Sequence, residues 1–143
     1  MAVEKIVPTI RYKDCPAAID WLIGAFCFNK HLVVQGGGGE ILHAQLTLGE
    51  AMIMLGSAHE DDDFGKLHGS PAELGGKNTS SVYMVVEDAD AHCARAREYG
   101  AEIVFDVRDE DYGGRGYTCI DLEGHVWSFG TYDPWSTSGA VHV

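Results

Sequence analysis

No stretch of this chain strings together the roughly 18 to 20 apolar residues that cross a bilayer. Its opening, Met1-Ala-Val-Glu-Lys-Ile-Val, leads into a polar strand instead of the apolar core of a secretion signal. The expected location is the cytoplasm. Basic residues are scarce, 10 Lys and Arg against 22 Asp and Glu, for a net charge of −12. Such a surface repels phosphate backbones, which argues against nucleic acid and anionic membranes as partners. A cationic, aromatic or neutral small molecule suits it better, although acids in this number also serve simply to keep a protein in solution. Cysteine is limited to Cys15, Cys27, Cys93 and Cys119, scattered among apolar neighbours with no CxxC pair. These are expected as reduced packing residues.

What the chain does hold is material for a core. Its 143 residues, 45% of them hydrophobic, suffice for one ordinary domain without disulfides or a structural metal. Residues 5–12 have the β-branched content of a strand, with Pro8 suited to an edge or a strand start. Asp14 then caps a helix with Pro16 in its first turn, and Ile19, Leu22, Ile23 and Phe26 recur at the spacing of one buried face. Strands follow at 31–35, 40–48 and 51–55, separated by a glycine-rich hairpin loop at 36–39 and a tight Gly49-Glu50 turn. Residues 56–79 lose apolar periodicity and are expected as a linker or lid. The first pattern then returns, with a strand at 81–86, Asp88 as a cap, a helix through Tyr99 closed by Gly100, and strands at 101–107, 116–121 and 125–132.

The halves superpose with one shift of about 74 positions, Asp14 onto Asp88 and Met54 onto Ser128. The expected fold class is α+β, two tandem βαβββ modules forming a curved mixed sheet around a cup, with the helices on the outer face. Module 1 covers about 1–56, the linker about 57–79, module 2 about 80–134 and a tail 135–143.

The segment Asp14-Cys-Pro-Ala-Ala-Ile-Asp-Trp21, the pair Ala89-Asp-Ala-His92 and Tyr99-Gly-Ala101, and above all Asp121-Leu-Glu-Gly-His-Val-Trp127 resemble the vicinal oxygen chelate superfamily. That superfamily includes glyoxalase I, bleomycin-resistance proteins and extradiol dioxygenases. Leu122 stands where the family's closing turn usually has proline. In metal-dependent members the resemblance implies two His and two Glu facing the cup. Carried over one at a time, those positions hold Val7, Met54, Ser81 and Ser128. A one-residue slip offers Pro8, Val82, Ile53, Leu55, Trp127 or Phe129, which coordinate no better. The expectation is therefore no cofactor and no metal.

With those four positions inward, alternation places Thr9, Arg11, Met52, Tyr83 and Val126 on the cup face and turns Ile10, Met84, Trp127 and Phe129 toward the helices. On the third strands, Leu42, Ala44 and Leu46 are expected on the apolar face and His43, Gln45 and Thr47 in the cup, with Tyr117 and Cys119 as repeat partners. The candidate ligand-binding set is Thr9, Arg11, His43, Gln45, Met52, Met54, Tyr83, Tyr117 and Ser128. His43 is the candidate general acid or base, with a structurally satisfied strand histidine as the plainer account. Arg11 suits either a ligand carboxylate or a surface acid. His59-Glu-Asp-Asp-Asp63 with His68 is expected as an acidic linker more than a chelate, and Tyr112 and Arg115 are placed near the pocket mouth.

The favoured function is metal-independent small-molecule binding or sequestration, similar to bleomycin-resistance proteins, in a homodimer against which the Trp135 tail packs. The alternatives are a metal-free isomerase or lyase using His43 with Tyr83 or Tyr117, a metal-dependent enzyme with non-standard ligands, and an assembly or regulatory partner with a vestigial cup.

Overall fold

Two aspartates start the two long helices. Asp14 Oδ1 accepts the Ala17 N–H at 3.2 Å and Asp88 Oδ1 accepts the Ala91 N–H at 3.0 Å, each answering an orphan donor of a first turn. In the computed structural model, which describes residues 2 and 4–136, these helices are α1 (Cys15–Phe26) and α2 (Ala89–Glu98). Around α1 lie β1 (Thr9–Tyr12), β2 (Asn29–Gln35), β3 (Ile41–Leu48) and β4 (Ala51–Ser57). Around α2 lie β5 (Val82–Val85), β6 (Glu102–Asp109), β7 (Arg115–Ile120) and β8 (Val126–Gly130). Each module is a four-stranded mixed sheet, in the order β1-β4-β3-β2 or β5-β8-β7-β6, whose first strand runs parallel to its last. No helix among the described residues is long and apolar enough to cross a membrane.

Strand bounds shift from the sequence expectation where backbone chemistry demands it. Residues 5–8 stay outside β1; Pro8 has no N–H to give the ladder, though its carbonyl accepts the Met54 N–H at 2.9 Å. β4 runs on to Ser57, whose hydroxyl accepts the Ile41 N–H at 2.9 Å, so the linker begins later than expected. An irregularity in the β2–β3 pairing, where Val34 faces His43 but Gln35 faces Ile41, leaves Leu42 exposed and not on the apolar face.

Each helix covers one face of its own sheet and leaves the other open. The covered faces meet. Phe26 of α1 lies with its ring 5.2 Å from Trp127 and 4.7 Å from Phe129 of β8, and Trp21 donates its indole N–H to the Tyr99 carbonyl at 2.8 Å. Gly24 lets the half-exposed Tyr99 ring lie close against α1, where a Cβ would displace it. Leu22, Leu46, Ile53, Met84, Cys119 and Trp127 thus belong to one buried core fed by both modules. Burial raises the thiols of Cys15 to about 11 and of Cys119 to about 12, which keeps them protonated and unreactive.

The 74-residue shift holds for the parallel strand pairs: Thr9 lies beside Met54 as Tyr83 lies beside Ser128. It fails by one residue on the neighbouring strands. Gln45 pairs with Met54, whereas Thr118 pairs with Ser128. The cause is the connection. Leu48 and Ala51 flank a tight turn, while Ile120 and Val126 flank a wider loop organised by Asp121, whose Oδ1 accepts the N–H groups of Glu123 at 2.9 Å and His125 at 3.0 Å. A one-residue slip reverses every side chain of a strand.

Candidate functional site

That reversal decides which side chains reach the open faces. On the first sheet, buried Ala44, Leu46, Ile53 and Leu55 point to the helices, which leaves His43, Gln45, Met52 and Met54 half-buried on the opposite face, as expected. Gln45 Nε2 donates to His43 Nε2 at 3.0 Å, so the histidine is partnered by an amide and not by a carboxylate. On the second sheet Ser128 shares a 2.8 Å hydrogen bond with Thr118 Oγ1. Thr118 was missed by sequence reasoning; the extra length of Asp121-Leu-Glu-Gly-His125 over Gly49-Glu50 was the signal.

Tyr117 and Cys119 are corrections. Both turn to the helix side, and Tyr117 is only 2% exposed. Its hydroxyl donates to His92 Nδ1 at 2.6 Å, while His92 Nε2–H donates to the Phe26 carbonyl at 2.9 Å. Burial lowers the His92 pKa below its ordinary 6.5 and raises that of Tyr117, so a neutral imidazole is clamped between two elements of the core.

A cavity of about 500 Å³ lies where the edge strands β1 and β5 approach one another, roofed by the linker. Thr9, Arg11, Tyr83 and Ser81 line it; His43, Gln45, Met52, Met54 and Ser128 do not. Asn78 pins the linker, donating through Nδ2 to the Gly124 carbonyl at 3.0 Å and accepting the Val126 N–H at 3.1 Å. Tyr83 donates its hydroxyl to the Tyr132 carbonyl at 2.7 Å. Burial and the surrounding acids raise the Tyr83 pKa.

Tyr112 and Arg115 are placed elsewhere. Arg115 bridges Asp90 and Asp109, each at 3.0 Å, and Tyr112 packs on Tyr132 with centroids 4.9 Å apart; neither lines the cavity. In the acidic linker His59 pairs with Glu40, and Asp62 accepts the Gly65 N–H at 2.6 Å where a short 3-10 turn begins. Among the described residues no three His, Cys, Asp or Glu side chains converge as a metal site.

Residues 5–129 match the profile of the Glyoxalase/Bleomycin resistance protein/Dioxygenase superfamily. The chain belongs to this superfamily. An uncharacterised protein of Mycobacterium bovis is 32% identical over 127 residues, which is 86% of this chain and 80% of that one. TioX from Micromonospora sp. ML1 superposes with a TM-score of 0.68 at 32% identity, over 90% of this chain and 98% of TioX. The fosfomycin resistance protein FosX from Listeria monocytogenes, crystallised with Mn(II), superposes with the same TM-score of 0.68 at 14% identity over 94% of each chain, a likeness of fold. A metal of the superfamily's kind does not fit the side chains present at the positions carried over from metal-dependent members. Val7 and Met54 offer an alkyl group and a soft thioether, and the Ser128 hydroxyl is a weak neutral donor already bonded to Thr118.

Proposed function

We propose that this superfamily member binds a small organic molecule without a metal and holds it chemically unchanged. The observation that carries the reading is the donor set: thioether, hydroxyl and alkyl groups replace ligands in both modules at once, on sheet faces that stay open and mixed in polarity. The enzyme alternative has less support. His43 bonds an amide, Tyr117 lies on the other side of its sheet, and Tyr83 is tied to Tyr132. Exposed Leu32, Val34, Val104 and Phe105 on the outermost strands offer apolar surface for a second copy of the chain. The buried free thiols agree with a reducing compartment, the cytoplasm.

Metal analysis of the purified protein with thermal unfolding in Zn, Ni, Mn and Fe tests the reading. No stoichiometric ion and no metal-dependent rise in Tm are expected. A bound equivalent that stabilises the fold overturns it. Light scattering should report a dimer, and mass spectrometry should recover the ligand intact; turnover abolished by His43→Ala would establish the enzyme instead.

A further inference from the structure

The cavity between β1 and β5 has the opposite charge to the rest of the molecule. On a chain with a net charge of −12, its lining includes two cations, Arg11 and Lys77, and, among the described residues, no aspartate or glutamate. None of the ion pairs among the described residues engages Arg11 or Lys77. Arg11 is nevertheless held in place: Nη1 donates to the Ser57 carbonyl at 2.9 Å, and the guanidinium lies 4.7 Å from the centre of the Phe64 ring. That uses one of its five N–H groups; the side chain also borders an adjoining cleft that holds Glu60 and Glu73.

Thr79, Ser80 and Ser81 add small hydroxyl donors at the linker's end, while Pro8, Pro71, Leu74 and Val82 supply apolar wall. A volume of about 500 Å³ is of the size that encloses one small molecule. The expectation of a cationic ligand, drawn from the total charge, is therefore reversed locally. Surface acids set the sign of the whole chain, whereas fixed cations set the sign of the cavity.

Resting on the reading that the protein holds a small molecule, we infer that this cavity takes a compact amphiphilic anion, with an oxyanion head on Arg11 and Lys77 and an apolar body against Pro71, Leu74 and Val82. The acidic exterior adds selectivity. A polyanion is repelled by the surface, but a single small anion enters a pocket whose own charges are positive.

The test is calorimetric titration of the full chain with phenylbutyrate, phenylbutanol and phenylbutylammonium, which share one apolar body and differ in the head. The carboxylate is expected to bind roughly tenfold or more tightly than the ammonium, with the gap closing as salt is raised. Arg11→Gln should cost the carboxylate roughly tenfold. Lys77→Glu should cost it roughly fivefold. Lys77 is exposed, so that variant keeps the test decisive if Arg11→Gln loses its fold. Equal or tighter binding of the ammonium or the alcohol, no carboxylate binding at millimolar concentration, or an affinity unmoved by Lys77→Glu overturns the inference. Those results leave the sequestration reading standing, while a stoichiometric metal or turnover sinks that reading and leaves the charge preference intact.

Discussion

Tyr117→Phe separates the register seen in the structure from the one a uniform repeat implies. The substitution keeps the ring, which stacks on Phe129 at 5.4 Å, and removes only the hydroxyl that donates to His92 Nδ1 at 2.6 Å. His92 cannot turn to a new partner without giving up its 2.9 Å bond to the Phe26 carbonyl, so a buried acceptor is left unsatisfied at a cost of about 1–3 kcal/mol. For a chain of this size each kcal/mol moves Tm by about 2–4 °C, so calorimetry should show a fall of about 2–12 °C. Ligand affinity should be unchanged, since the ring faces the helices and not the open sheet. A repeat with a constant shift would place this hydroxyl in the cup, and the variant would then weaken ligand binding at constant Tm. That pair of results would refute the register argument.

Burial of neutral His92 also predicts a pH dependence. Its native pKa is lowered, so the unfolded chain binds the proton more readily; this contribution is complete above about pH 6.5 and is lost as pH falls from there through the native value. Urea unfolding across that window should show a shallower slope in His92→Phe than in the parent. Asp121→Asn should cost about 3 kcal/mol or more, because Oδ2 accepts both the Tyr12 hydroxyl at 2.6 Å and the Trp127 indole at 3.0 Å, and an amide can satisfy only part of that donor set. Shifted Trp127 fluorescence with a lowered urea midpoint is the expected signature. Gly24→Ala places a methyl where the half-exposed Tyr99 ring now lies, so the ring should swing away and the gain in helix propensity, up to about 1 kcal/mol, should be offset by its lost packing, leaving Tm within a few degrees of the parent in calorimetry while the Trp21 fluorescence shifts.

Local chemistry alone determined the modules. Capping aspartates, an apolar helix face and alternating strands are short-range signals, and they placed Asp14 and Asp88, both helices and the common sheet face of Met52, Met54, His43 and Gln45 opposite the helices. The absence of metal-ligand side chains at Val7, Met54, Ser81 and Ser128 was likewise legible, since residue identity needs no coordinates. Tertiary structure decided the rest. Whether Tyr117 or Thr118 faces outward turns on one residue of loop length around Asp121, which hydropathy cannot register because both neighbours are acceptable on either face. The sign of the cavity could not be read from a total of −12, because charge at a site depends on which few side chains the folded edges of β1 and β5 and the linker bring together.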